Sequence, residues 1–268
     1  MRRIPRIIHK IFFTSDDSTP PPHIQAAIDT WTDMNPEYEI RLYDIPRARS
    51  FIAEHMPPEC LRAFDMLKPY AYKSDLFRYI LMYTVGGVYS DIRQACLMPL
   101  DVVFAPDITW FSPVDIDQKG MCTTPLISVP RHRYMREAID RCVKNTEAMD
   151  YSQGILGITA TRLLAKVIRL PVGVHDGGVH IGEHIPDHMA TAEGVVFIKN
   201  RMSSAEGGRP WSDVKTGNDY RRMFAERDVF EGDTRVHVTP HMGICIAVVV
   251  VLLVALLIII LSIVRKKT

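Results

Sequence analysis

Ala71-Tyr72-Lys73-Ser74-Asp75-Leu76-Phe77-Arg78-Tyr79 and, after a short apolar run, Gly86-Gly87-Val88-Tyr89-Ser90-Asp91-Ile92-Arg93 form a helix-to-strand unit with charged side chains at both ends. Residues 70–85 carry helical spacing, and the glycine pair stops the helix. Residues 88–92 then read as a short strand that delivers Asp91. On the helix, Asp75 and Arg78 are neighbours at i, i+3, so one face presents a carboxylate beside a guanidinium. As an exposed pair they would contribute only ~0.2–0.5 kcal/mol. Their setting points further: the glycines allow close backbone approach, and open α/β sheets bind ligands beyond the carboxyl ends of their strands, where Asp91 falls.

The flanking sequence has the same grammar. Residues 4–13 read as a buried strand, 14–22 as a polar turn with three consecutive prolines, and 23–34 as a helix. Glu39-Ile40-Arg41-Leu42-Tyr43 alternates and makes a second strand. Residues 46–56 and 58–67 each have proline at or near the start and helical spacing of Phe51-Ile52 and Leu61-Phe64. Further on, 108–112 and 124–129 read as strands and 132–148 and 154–168 as helices. The glycine- and histidine-rich segment 173–208 offers one strand, 195–199. Strands alternating with helices predict an α/β fold with a mainly parallel sheet and flanking helices. No internal repeat or interior linker divides residues 1–241, which form one catalytic-sized domain.

The chain has 268 residues, 47% hydrophobic and 24% charged, a composition that excludes disordered, collagen-like and coiled-coil classes. Its hydrophobicity is concentrated in residues 242–264, 23 residues without a charge. As a helix this stretch spans ~34 Å, enough for a ~30 Å hydrocarbon core, and it predicts a C-terminal transmembrane helix. Residues 265–268 form a short basic tail. Removing its three basic residues leaves 29 Lys and Arg against 31 Asp and Glu, a net charge near −2 that recruits no nucleic acid. The N-terminal apolar residues are broken by His9 and Lys10, so no signal-peptide core is present. The expectation is a single-pass protein in the lipid bilayer by a tail anchor, its domain cytosolic. The dibasic tail carries the opposite, lumenal orientation as the alternative. The widely spaced Cys60, Cys96, Cys122 and Cys142 suit a reducing compartment.

Five blocks in order over the first hundred residues resemble a known family. They are Ile4-Pro5-Arg6-Ile7-Ile8-His9, Trp31 with Asn35-Pro36-Glu37-Tyr38, Arg41-Leu42-Tyr43-Asp44, Ala71 to Tyr79, and Gly86 to Asp91. The pattern is similar to the DXD-type sugar transferases of glycosyltransferase family thirty-two, which include fungal initiating and inositol-phosphorylceramide mannosyltransferases and capsule enzymes. The second half matches loosely, at 125–135 and around Leu156-Gly157. The resemblance implies a GT-A fold, a UDP- or GDP-hexose donor, a glycan or glycolipid acceptor and retention of anomeric configuration. By the same resemblance Asp75 and Arg78 bind the donor sugar, and Asp91, with Tyr89, Gly87 and Trp31, lies at the nucleotide; Trp31 read by itself is a core residue, with base stacking as the alternative that its family position keeps open. A sugar needs directional donors and acceptors, and a departing diphosphate needs positive charge.

The chain departs from the family pattern where the second carboxylate of Asp-x-Asp would hold a divalent metal, Mn²⁺ or Mg²⁺. Here the motif reads Asp91-Ile92-Arg93. Three readings stand: Arg93 acts catalytically in place of the metal, Asp91 alone holds the metal, or catalysis is lost and a silent, membrane-anchored binding protein remains. His175, His180, His184 and His188 tempt a zinc assignment at helical spacing, but Gly182 and Pro186 interrupt that helix and favour a polar loop. Trp211-Ser212-Asp213 is a further candidate for donor or acceptor contact. No Cys/His nucleophile arrangement, Gly-x-Ser-x-Gly elbow or phosphate loop is present.

Overall fold

The computed structural model describes residues 3–15, 19–200 and 218–234. Strand β1 (Ile7–Ile11) is followed by helix α1 (Pro22–Met34), β2 (Glu39–Tyr43), α2 (Ile45–His55), α3 (Pro58–Met66), α4 (Tyr70–Thr84) and β3 (Gly87–Tyr89). Prolines at the first helical turn start α1, α2 and α3, and the Asp44 carboxylate caps α2 by accepting from Arg47 N–H. The chain continues through β4 (Ala95–Cys96), α5 (Leu100–Val103), β5 (Trp110–Val114), β6 (Leu126–Ser128), α6 (Arg133–Glu147) and α7 (Thr161–Val167). It closes with β7 (Gly173–His175), β8 (Val179–Ile185), β9 (His188–Ala190), β10 (Val196–Lys199) and α8 (Tyr220–Ala225).

All ten strands join one sheet in the order β2-β1-β3-β6-β5-β8-β9-β10-β4, with β7 added on β8. Successive strand residues point to opposite faces, and both faces are covered. Tyr89, Trp110 and Leu126 enter a core shared with α2, α3, α4, α6 and α7. Val88, Phe111 and Ile127 enter a second core with Ile8, Trp31 and Phe104. Helix α4 is buried over most of its length, which explains its lack of a polar face.

The sheet is mixed rather than mainly parallel. Only β1–β2, β1–β3 and β5–β8 are parallel pairs among the described residues, and the other pairs run antiparallel. Connection length accounts for part of this, because a parallel return needs a crossover of about a dozen residues or more. Helices α1 to α4 supply such crossovers for the first three strands, whereas Pro186-Asp187 alone joins β8 to β9, with Asp187 at φ +59°.

Two other expectations change. The helix expected over 154–168 begins only at Thr161, because Gly154 takes φ +73° after a short 3₁₀ turn. The segment expected as a polar loop with one strand holds β7, β8 and β9 as well as β10. Among the described residues no helix is long and apolar enough to cross a membrane. The stretch 242–264, the tail 265–268 and Trp211-Ser212-Asp213 lie outside the described residues.

Candidate active site

The first turns of α4 and the carboxyl ends of the parallel strands β1 and β3 enclose a cleft. One lobe, about 200 Å³, is lined by residues that include Phe13, Ser74, Arg78, Tyr89, Asp91 and Arg93. A second, about 180 Å³, is lined by Asp91 and Arg93 again together with Asp115, Thr124, His184 and Asn200. The two lobes therefore meet at Asp91 and Arg93.

Arg78 is the centre of the first lobe. Its Nη2 lies 3.3 Å from Asp75 Oδ1 and its Nη1 3.5 Å from Asp91 Oδ1. Nη1 also donates to Thr123 Oγ1 at 2.8 Å, and Nη2 to Ser74 Oγ at 3.0 Å. Its guanidinium sits over the Tyr89 ring, 4.6 Å from the centroid. Burial opposes the Arg78 cation, but Tyr89, Asp75 and Asp91 outweigh it and hold the pKa above the usual value. Asp75 is buried too, contrary to a surface ion pair, and accepts from Thr159 Oγ1 at 2.8 Å. Burial raises its pKa, with Arg78 acting in the other direction. Asp75 stands behind Arg78 and fixes it, whereas Arg78 itself lines the cleft.

Asp91 is the open end of this array, with 45% of its side chain exposed. The strand ends two residues earlier, at Tyr89, and a turn carries Asp91 into the cleft. Tyr89 Oη donates to Asp91 Oδ1 at 2.7 Å. The Asp91 N–H donates to Gln94 Oε1 and Thr124 Oγ1 at 3.1 and 2.9 Å. Lys10 supports the turn from inside the sheet, donating to Ser90 Oγ at 3.0 Å and to the Asp91 carbonyl at 3.3 Å. Burial lowers the Lys10 pKa from 10.5 to about 7. Sequence reasoning missed Lys10, although a lysine inside Ile7-Ile8-His9-Lys10-Ile11 was a visible signal for a buried charge.

Gly87 and Trp31 serve the scaffold. A Cβ on Gly87, at φ +99°, would lie 2.5 Å from the Ile7 carbonyl oxygen, so the glycine permits β1 and β3 to pair. His9 clamps the same corner through Nε2, 2.9 Å from the Gly86 oxygen. Trp31 is fully buried, donates through Nε1 to the Gln94 carbonyl, and lies 4.1 Å beneath the Lys10 ammonium. It lines neither lobe.

The second lobe brings His184, one of the four spaced histidines, together with Asp115 and Asn200, which spacing did not select. His184, on β8, places Nδ1 3.2 Å from Asp115 Oδ1 and Nε2 3.1 Å from Asn200 Nδ2. The Asn200 amide therefore donates to Nε2, and the imidazole proton sits on Nδ1 facing Asp115. Gln94 Nε2 donates in turn to Asn200 Oδ1 at 3.1 Å, linking the histidine to the Asp91 turn. The hydrogen bond to His184 holds the Asp115 carboxyl below its usual range. The other expected histidines do not converge here: His175 and His188 bond the carbonyls of Pro171 and Pro186.

As a site for the divalent metal of the Asp-x-Asp pattern, residues 91–93 fit poorly. They offer one carboxylate, one oxygen of which already accepts from Tyr89, with the Arg78 guanidinium at 3.5 Å and Arg93 on the same cleft wall. A cation there meets the Arg78 guanidinium at close range, with a second positive group on the same wall.

A charged cleft beyond the carboxyl ends of α/β strands belongs to the class of domains that bind small polar ligands there. Residues 21–110 match the family model described as "Glycosyltransferase sugar-binding region containing DXD motif". Inositol phosphoceramide mannosyltransferase 2 of Schizosaccharomyces pombe is 30% identical over 146 residues, covering 54% of this chain and 40% of that protein. The initiation-specific alpha-1,6-mannosyltransferase of Candida albicans is 30% identical over 90 residues, 32% of this chain and 23% of that protein. The matched segments thus span less than half the length of these relatives. Among solved structures, PaToxG glycosyltransferase superposes with a TM-score of 0.49 at 15% identity over 62% of this chain and 69% of that one.

Proposed function

We propose that this chain is a glycosyltransferase that moves a hexose, mannose by the names of its relatives, from a nucleotide-sugar donor to a glycan or lipid acceptor with retention. The observation that carries the reading is the Asp75–Arg78–Asp91 array, fixed at the strand ends within the family-matched region. Arg78, its orientation set by Asp75, Ser74 and Thr123, contacts the donor sugar. Asp91 directs its exposed carboxylate to hydroxyls of the sugar or ribose. When the anomeric C–O bond breaks, both its electrons leave with the nucleoside diphosphate, and Arg93 offsets that charge by charge-assisted hydrogen bonding. The donor is held in this scheme without a metal at residues 91–93. The 23 uncharged residues at 242–264 support a single-pass attachment to the bilayer, and alkaline extraction of the full chain from membranes tests it.

Thermal unfolding of the full chain with UDP, GDP and their hexose sugars, each with and without Mn²⁺, tests the site. A ligand at ~100 times its dissociation constant stabilises the fold by ~2.7 kcal/mol. Stabilisation by one nucleotide without metal, lost together with transfer in Asp91→Ala, is the expected result. Stabilisation only with Mn²⁺ refutes the role of Arg93. No shift and no turnover under any condition overturns the enzymatic reading in favour of a silent binding protein.

A further inference from the structure

The second lobe holds a set of side chains that the proposed reaction does not use. Asp115 follows β5, Cys122 lies on the return toward β6, and His184 projects from β8. One ligand atom from each lies within 4.8 Å of the others. We propose that Asp115, Cys122 and His184 form a binding site for a borderline-soft divalent cation of the zinc class, opening on the lobe they share with Asp91 and Arg93.

The distances suit a shared ion. With metal–nitrogen and metal–oxygen bonds of ~2.1 Å, a separation of ~3.2 Å between the two ligand atoms corresponds to an angle of ~100° at the metal. His184 Nδ1 and Asp115 Oδ1 are 3.2 Å apart. Cys122 Sγ lies 4.0 Å from the same carboxylate oxygen. With a metal–sulfur bond of ~2.3 Å that distance subtends ~130°, so this edge closes to the tetrahedral angle with a shift of ~0.4 Å; the thiol and imidazole, within 4.8 Å of each other, must also approach to ~3.6 Å. Two loop residues and one strand residue can accommodate such a shift without moving the sheet.

The donor set selects the ion. Magnesium and calcium take oxygen ligands, whereas a thiolate, an imidazole and a single carboxylate match zinc or cobalt. Three protein ligands leave a fourth position for water or a ligand oxygen, the pattern of an open zinc site. One outer contact is also in place: Asp115 accepts the Ile116 N–H at 2.8 Å. On binding, the Cys122 thiol releases its proton to solvent, the imidazole proton passes from Nδ1 to Nε2, and the Asn200 amide turns to present Oδ1 as its acceptor, giving up the Gln94 hydrogen bond. Burial keeps the Cys122 thiol protonated until an ion arrives.

Titration of the chelator-treated full chain with Co²⁺ tests this independently of transfer activity. The expected result is one equivalent bound with thiolate-to-cobalt charge-transfer absorption in the near ultraviolet, and displacement of the cobalt by Zn²⁺. The nearly isosteric Cys122→Ser abolishes that absorption, while His184→Gln and Asp115→Asn each weaken cobalt binding by about tenfold or more. Asp91→Asn leaves the spectrum unchanged. Absence of the charge-transfer band, its survival in Cys122→Ser, or unchanged affinity in His184→Gln overturns the site. Failure of nucleotide binding leaves this outcome untouched, so the two proposals fall separately.

Discussion

Replacing Lys10 by methionine removes a charge from beneath the Asp91 turn. The ammonium is fully buried, donates to Ser90 Oγ and the Asp91 carbonyl, and lies over the Trp31 ring. Burial lowers its pKa from 10.5 to about 7. In the unfolded chain the amine keeps a pKa near ~10.4, so above pH ~7 the unfolded state binds the extra proton and stability rises with pH. The penalty for the buried charge is fully present below the folded value and is relieved as pH climbs toward the unfolded one. At ~1.36 kcal/mol per pKa unit the whole window is worth roughly 5 kcal/mol, of which about 2 kcal/mol falls between pH 7 and pH 9. Lys10→Met abolishes that titration, and Ser90 Oγ keeps Gln94 Oε1 as a partner at 2.9 Å. Relative to the variant, the wild-type protein therefore gains about 2 kcal/mol over this interval. Urea denaturation of both full-length proteins at the two pH values measures the gain, and titrations common to both cancel. A stability difference that stays constant within ~0.5 kcal/mol refutes the reasoning.

Arg78→Met leaves Asp75 buried without its partner and is expected to cost about 3–5 kcal/mol in denaturant unfolding; adding Asp75→Asn should recover part of that loss. Gly87→Ala sets a Cβ 2.5 Å from the Ile7 carbonyl oxygen at φ +99°, and a loss of about 2–3 kcal/mol is expected from the melting temperature and unfolding enthalpy. Arg93→Ala is expected to lose transfer, while Arg93→Asp gains a manganese requirement. A neutral Arg93→Ala in a turnover assay refutes the role given to that guanidinium.

The sequence was most legible where local signals decide structure. Proline starts, the Gly86-Gly87 stop and the alternation of Glu39 to Tyr43 place α1 to α4 and β1 to β3 within about three residues of their observed ends. Legibility falls beyond β3, where pairing is decided by partners distant in sequence. Val179-His180-Ile181 alternates as a strand should, with Val179 and Ile181 buried, but the run is short and surrounded by glycine and histidine. The direction of pairing was likewise hidden, because turn length sets it and no turn was located between Ile185 and His188. Within the site, Asp75, Arg78 and Asp91 were visible because they lie on one helix and just past the strand after it. Asp115 and His184 are 69 positions apart, and Lys10 reaches the Asp91 carbonyl across 81. Contacts of that separation leave no periodicity to read.

The charges around the cleft explain why these distant residues belong to one site. In the first lobe Asp91 faces Arg78 and shares its wall with Arg93, and Lys10 supports its main chain from below. Asp75 offsets Arg78 from behind, where solvent does not reach. The cleft thus offers guanidinium donors for an anion and, at Asp91, an exposed acceptor for hydroxyls. In the second lobe Asp115 is engaged by His184. A sugar diphosphate satisfies both requirements at once, with hydroxyls for Asp91 and phosphate oxygens for the guanidinium groups. A neutral sugar satisfies only the first and an inorganic anion only the second. Intact donor should therefore stabilise the fold more than either fragment alone.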